Sequence, residues 1–400
     1  MCEVKIEKLD NQGRGICYVN NKITFVENAL PEEQVKIKLT KESKKFNEAE
    51  VIEYLITSKN RVESPCPYFK SCGGCELLNL SYENTCKYKK EKLENILSKY
   101  ANIKTKVEIV KCKNHLNYRN KITLKIENGK YGYYAPKTHK LVCINNCLLA
   151  EPAINNFIQD IDKLNIKNGE VTIRSNYNSE LLIWIKSPGK VKPNINYLKS
   201  KHKIVGILLN NQPIEGDTSF IEIINHQLFT VSYDSFFQIN REVCSIIFDR
   251  ILKEINDNDT ILDLYCGVGT LGINACKKAK KAYGIEIVKN AILNAITNSK
   301  INKRDNIYYM LGKVEDNLSK INDKIDTIIV DPPRAGLDPK TKQTILEFKA
   351  NKIIYVSCDP MTLARDLKEL SSIYNIKQVT SLDMFPYTEH IETYCVLEKR

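Results

Sequence analysis

The chain contains no run of apolar residues close to the roughly 18 that a membrane-crossing helix needs, and that excludes a helical membrane span. Its start, Met1-Cys2-Glu3-Val4-Lys5-Ile6-Glu7-Lys8, lacks the apolar centre of an export signal, so a soluble cytoplasmic protein is the expectation. Low-complexity tracts and internal repeats are also missing, which sets solenoids and arrays aside. With 42% hydrophobic and 27% charged residues the composition is that of a folded globular protein, and 400 residues predict two or three domains.

Two things are plentiful: cysteine and positive charge. Fourteen cysteines in a chain expected to stay reduced are too dilute for a secreted disulfide scaffold, so their spacing carries the information. Cys66, Cys72 and Cys75 stand close together, with Cys147 further on, whereas Cys2, Cys17, Cys244, Cys276 and Cys395 follow no pattern and read as small hydrophobes. The net charge of +12 is unevenly spread. Residues 1–58 carry 9 Lys+Arg against 10 Asp+Glu, residues 59–150 carry 18 against 7, and the remainder 33 against 31. The basic stretch also holds Tyr118, Tyr131, Tyr133 and Tyr134, and interleaved basic and aromatic residues suit a polyanion with stackable bases. A merely solvated lysine-rich surface is the competing reading.

Residues 1–58 read as five short strands, Val4–Ile6, Gly15–Val19, Ile23–Val26, Val35–Leu39 and Glu50–Leu55, separated by polar turns, and so as a small β-barrel. A polar segment to residue 65 reads as a linker, followed by the Cys-rich region and a helix near 82–100. Residues 118–227 mix strands and short helices. From about 258 apolar strands alternate with helices, which predicts an α/β domain with a mainly parallel, doubly wound sheet whose function sits at the carboxyl strand ends. The expected domains are 1–58, a central α+β domain at 59–227, and 228–400. The helix near 82–100 is a candidate to pack on the last of these.

Four strand ends carry chemistry. Ile261-Leu262-Asp263-Leu264-Tyr265-Cys266 runs into Gly267-Val268-Gly269-Thr270-Leu271-Gly272, a G-x-G-x-x-G between strand and helix that lets backbone approach a ligand. Alone it fits a dinucleotide as well. Glu286 ends the next strand, where a carboxylate can hold ribose hydroxyls. Asp-Leu-Tyr-Cys-Gly-Val-Gly-Thr resembles motif I of S-adenosylmethionine-dependent methyltransferases. Asp331-Pro332-Pro333-Arg334 follows a third strand, and its prolines make a rigid loop that holds Asp331. Amine methyltransferases usually end this loop with an aromatic that stacks on the base; Arg334 argues for methylation at carbon.

Cys358, in Ser357-Cys358-Asp359-Pro360, stands at a fourth strand end just before a helix. A free thiol is only about 3% thiolate at pH 7, and a helix N-terminus raises that fraction. Carbon 5 of a pyrimidine is a poor nucleophile until a thiolate adds at C6, and a base must afterwards remove the C5 proton. Glu392, in the run Phe385-Pro386-Tyr387-Thr388-Glu389-His390-Ile391-Glu392, is the candidate base, although by position alone it reads as a surface carboxylate.

Together with Asp234-Ser235-Phe236-Phe237-Gln238-Ile239-Asn240, these motifs resemble the RNA uracil-C5 methyltransferases that form 5-methyluridine, and within them the 23S rRNA type. The resemblance spans almost the whole chain. It implies a Rossmann-like S-adenosylmethionine domain, Cys358 as nucleophile, Glu392 as base, and Gln238, Tyr265, Gly267, Glu286 and Asp331 as cofactor contacts. Glu389 departs from the family, where Pro is usual. Gly13-Arg14-Gly15-Ile16 and Phe25-Val26-Glu27-Asn28-Ala29-Leu30-Pro31 are similar to a TRAM domain, an RNA-binding barrel. Relatives with the Cys66-x5-Cys72-x2-Cys75 spacing hold a [4Fe–4S] cluster, which implies Cys147 as fourth ligand, with Cys143 and Cys86 as competitors; soft thiolates suit such a cluster or zinc. Radical enzymes space their cysteines differently, so the cluster is expected to be structural. The implied substrate is 23S rRNA. Methylation of tRNA, cytosine-C5 methylation and a non-catalytic RNA-binding role are the alternatives, and a monomer is expected.

Overall fold

The computed structural model describes residues 1–400 and contains two compact units. The first comprises residues 1–92, 133–144 and 385–390. Its six-stranded sheet has the order Cys2–Lys5, Gln34–Glu42, Asn47–Ile56, Lys22–Glu27, Gly15–Val19, Lys8–Leu9. Alternation along the strands sends Cys17, Val26, Val35, Ile37 and Ala49 inward to a core completed by Ile6 and Ala29. Asn20 and Asn21, both at positive φ, close the hairpin between Val19 and Lys22 in two residues, the conformation that matches strand twist and that Asn tolerates. The two-residue strand Lys8–Leu9 is too short to show a period and is the element the sequence did not announce.

The barrel's exit is fixed by a buried carboxylate. Glu33 accepts from the main-chain N–H groups of Leu30 (2.8 Å) and Ser58 (3.2 Å) and from Arg61 Nε (2.5 Å) and Nη2 (2.8 Å). A buried carboxylate with several donors is satisfied and holds its partners in place. Beyond Arg61 the chain runs through turns to Leu80, with which Arg61 forms an isolated bridge, and then enters the helix Tyr82–Ala101.

The second unit comprises residues 93–132, 145–384 and 391–400. One of its sheets joins Lys121–Glu127, Gly169–Ser175, Leu181–Lys186, Ile204–Leu209 and Gln212–Gly216 in that order, and a separate hairpin pairs Ser219–Ile224 with Gln227–Ser232. The other is eight-stranded, in the order Ile307–Leu311, Lys281–Glu286, Thr260–Leu264, Thr327–Val330, Lys352–Ser357, Glu392–Lys399, Tyr374–Leu382, Glu108–Val110. The first five run parallel, as the alternation of strands and helices predicts, and Glu392–Lys399 is antiparallel to both neighbours. Leu262, Leu264, Ile328, Val330, Ile353 and Tyr355 are fully buried in its core. The strand order reverses between Thr260–Leu264 and Thr327–Val330, and a crevice opens at the carboxyl ends of such a pair. No helix of the structure is long and apolar enough to cross a membrane.

Candidate active site

Strand register alone lines up the residues singled out by sequence. Leu264 pairs with both Ile285 and Val330, so the next residues, Tyr265, Glu286 and Asp331, lie at one level on the carboxyl edge. Ser357 pairs with Thr393 in the antiparallel pair that follows. Cys358, one residue on, and Glu392, one residue back, therefore face each other across adjacent strand ends.

The glycine turn is built by one buried carboxylate. Asp263, 1% exposed, accepts from the Gly272 N–H at 2.8 Å, while its other oxygen has no partner. Burial pushes this carboxyl up to about 8, and the nearby Asp331 and Glu286 add to the shift. Gly267 and Gly269 have φ of +54° and +84°, and Tyr265, a bulky residue, is held at +62°, a left-handed conformation that is rare for such a side chain. Glu286 accepts from the N–H of Gly267 at 3.1 Å and of Val288 at 2.8 Å. Each of its oxygens keeps a lone pair for a hydroxyl.

Gln238, Tyr265, Gly267 and Asp331 line one open cleft, together with Phe236, Phe237, Asp263 and Cys266. The main chain at Gln238 is fixed by Asn120 Nδ2, which donates to the Gln238 carbonyl at 3.0 Å, and the buried Arg174 donates to the Ser235 carbonyl at 3.1 Å. A Cβ built on Gly267 meets nothing within 4 Å, so the turn presents bare backbone to open space. A glycine turn with open space beside it, a carboxylate with spare lone pairs and an apolar wall fit a nucleoside cofactor. Asp263 and the exposed Phe236 are site residues that the list of expected contacts omitted. Both stand inside the quoted motifs, which was the available signal.

Cys358 is half-buried. Burial first, then the Glu392 and Asp331 carboxylates, push its thiol up to about 11, against a smaller opposing effect of Arg334. The helix N-terminus expected to lower it is already occupied: Asp359 caps the helix Pro360–Leu370, accepting from the N–H groups of Met361 and Thr362, both at 2.9 Å. Glu392 is not the surface carboxylate its position suggests. It is 2% exposed, its Oε1 has no partner, and burial together with Asp331 drives its proton affinity well up. Asp331 rises for the same first reason, burial. The loop carrying Arg334 is tied to the helix after Cys358 by Thr362 Oγ1 and Arg365 Nη2, which donate to the Arg334 and Ala335 carbonyls at 3.1 and 2.9 Å. A half-buried thiol that can add to an electrophilic ring carbon thus faces a buried carboxylate, one oxygen of which has no partner and can later accept a proton from that ring.

A family model described as tRNA (uracil-5-)-methyltransferase matches residues 218–400, and a TRAM domain model matches residues 1–52. An uncharacterized RNA methyltransferase of Halalkalibacterium halodurans is 31% identical over 442 aligned residues, covering 99% of this chain and 96% of its own. The chain belongs to the uracil-5 family of RNA methyltransferases. Another member, from Caldanaerobacter subterraneus subsp. tengcongensis, is 32% identical over 441 residues, covering 99% and 98% of the two chains. The crystal structure of Pyrococcus abyssi tRNA (uracil-54, C5)-methyltransferase with S-adenosyl-L-homocysteine superposes with a TM-score of 0.82 at 24% identity, over 99% of this chain and 100% of that one. This RNA methyltransferase thus has the fold of an S-adenosylmethionine-dependent enzyme behind an N-terminal TRAM domain.

The expected metal ligands divide between the units. Cys66, Cys72 and Cys75 lie half-buried in the first, on turns closed by Phe69 N–H to the Cys66 carbonyl (3.2 Å) and Cys72 N–H to the Tyr68 carbonyl (2.7 Å). Cys72 and Cys75 line a cavity of about 220 Å³. Cys147 is half-buried in the second unit, its main chain clamped by Asn155 at 2.8 and 2.9 Å, whereas Cys86 is buried and Cys143 exposed. Thiolates are the donors that an iron–sulfur cluster takes. Their side chains are not gathered into a metal-holding group of three or more.

Proposed function

We propose that the enzyme methylates C5 of a uridine in 23S rRNA. The observation that carries this reading is the placing of Cys358 opposite the buried Glu392, whose Oε1 has no partner, at adjacent strand ends beside the glycine-turn cleft. The target base is turned out of its surroundings to reach Cys358. The Cys358 thiolate adds to C6, and the C5=C6 electron pair moves onto the C4 carbonyl oxygen, leaving C5 nucleophilic. S-adenosylmethionine, held by Gln238, Tyr265, Gly267, Glu286 and Asp331, supplies an electrophilic methyl group for C5. Glu392 then takes the C5 proton, C5=C6 reforms, and the sulfur leaves. A carboxylate whose proton affinity is raised by burial is better matched to this removal than an exposed one.

Cys66, Cys72, Cys75 and Cys147 hold a [4Fe–4S] cluster with a structural role. Protein purified without oxygen then carries about four iron and four sulfide per chain, and Cys75→Ser loses them. Protein prepared in this way with no iron rules the cluster out.

The barrel and thiols together support rRNA. The barrel alone does not separate the substrates, because the Pyrococcus abyssi tRNA enzyme matches over 99% of this chain, and that match favours tRNA as the second reading. Tritium release from C5-tritiated uridine in 23S rRNA and tRNA transcripts decides between them. Release from rRNA alone, lost in Cys358→Ala with RNA binding intact, is the expected result. Release from tRNA alone keeps the chemistry and overturns the substrate. No release from either overturns uracil-C5 chemistry.

A further inference from the structure

The helix Tyr82–Ala101 buries two lysines, Lys89 at 0% and Lys92 at 8% exposure. Lysine is almost never buried without partners. The partners are main-chain oxygens and one carboxylate. Lys92 Nζ donates to the Asn11 carbonyl (2.6 Å), the Glu389 carbonyl (2.7 Å) and Glu389 Oε2 (2.5 Å), which uses all three of its protons. Lys89 Nζ donates to the Phe385 carbonyl at 2.8 Å. One turn away on the helix, Tyr88 Oη donates to the Asp10 carbonyl at 2.7 Å.

These bonds converge on the six-residue segment 385–390. Leu77 N–H donates to its Tyr387 carbonyl at 3.1 Å, and its Glu389 N–H donates to Glu76 Oε2 at 3.1 Å. Tyr387 is held at φ +63°. The segment is therefore fixed at the Phe385, Tyr387 and Glu389 carbonyls and at one N–H. Glu392 follows Glu389 by three residues and opens the last strand. The backbone at Glu389 is fixed by the Lys92 ammonium, which bonds both its carbonyl and its carboxylate.

We propose that Lys92 is a positioning residue for proton removal: by anchoring both the main chain and the side chain of Glu389, it sets the path by which the chain delivers Glu392 to its place opposite Cys358. Lys89 anchors the start of the same segment. Lys92 also holds the Asn11 carbonyl in the barrel turn.

The proposal rests on Glu392 being the base, and the test separates the two. Lys92→Met keeps the apolar stem and removes the donors. Its expected signature is a fall in kcat of about tenfold or more with an unchanged KM for RNA, and accumulation of the covalent Cys358–RNA adduct on denaturing gels. Thiol addition survives while proton removal is misaligned. Glu392→Gln, run alongside, should trap the same adduct. Tyr88→Phe removes a buried bond on the same helix without touching the segment, so it should lower Tm with kcat unchanged. If Glu392→Gln traps adduct and a folded Lys92→Met does not, this inference is wrong and the base assignment stands. If Glu392→Gln turns over normally, the base assignment itself is wrong. Should Lys92→Met fail to fold, Glu389→Gln, which removes only the ionic bond, carries the test with a smaller loss of kcat and the same adduct.

Discussion

Asp263 shows how a single buried carboxyl converts geometry into pH dependence. Its proton affinity rises from the usual 3.8 to about 8, burial being the main cause. The folded chain thus holds a proton that the unfolded chain has released across that window. By linkage the stability it contributes is complete below about pH 4 and is lost as pH rises through about 8. Asp263→Asn carries no such proton. Its Tm should fall less steeply than the wild type's between pH 5 and 8, the missing slope being about one proton, or roughly 1.4 kcal/mol per pH unit. Parallel Tm profiles of the ligand-free proteins would show that Asp263 is ionised when folded. Little of this was legible in the residues themselves. Cys358 and Glu392 stood out by their motifs, but the burial of Glu392 comes from strand pairing between residues far apart in sequence, and a lone carboxylate before a strand normally faces solvent. The Cys358 thiol likewise runs against the local reading, because the adjacent helix end spends its N–H groups on Asp359.

At the scale of elements, the two glycines at positive φ do different jobs. At Gly269 a Cβ would stand 2.6 Å from Tyr309 Oη and 3.1 Å from Ile273 Cδ1, so Gly269→Ala adds a clash to a strained φ. It should cost about 2 kcal/mol or more and lower Tm clearly. At Gly267 a Cβ meets nothing, so Gly267→Ala costs only the left-handed backbone, about 1 kcal/mol. It nevertheless places a methyl group in the cofactor cleft, and should weaken S-adenosylhomocysteine binding by at least about tenfold in calorimetry. Equal losses of Tm in the two variants would contradict this division. Asp359→Ala should cost about 1 kcal/mol, as removal of a helix cap with two N–H partners does. The alternation of apolar strands and helices made the parallel sheet readable, since each strand buried on both faces is a short apolar run closed by Gly, Pro or Asp. The strand Glu108–Val110 was not readable. It has three residues, lies far in sequence from its neighbour Tyr374–Leu382, and owes its conformation to that pairing and to Arg250 holding Glu108 at 2.7 Å.

At the scale of the whole molecule, charge argues about how RNA is held. The barrel segment 1–58 carries a net −1, and residues 59–150 carry +11. Phosphate contacts release counterions, so each lysine that neutralises a phosphate steepens the fall of affinity with salt by about 0.7 to 0.9 in log–log slope. If the basic stretch supplies the grip, replacing its exposed Lys104, Lys106 and Lys113 with Gln should weaken binding of a 23S rRNA fragment at low salt and flatten the slope by about 2. The same replacement at Lys38, Lys44 and Lys45, all exposed on the barrel, should leave the slope nearly unchanged, because the 9 basic residues of this segment are outnumbered by its 10 acidic ones. Anisotropy titrations at several salt concentrations measure both. The opposite ranking would make the TRAM barrel the principal phosphate contact despite its balance of charge. Discrimination between RNAs would then have to be sought in residues 1–58, where the barrel turn at Asn11 is already bound to Lys92.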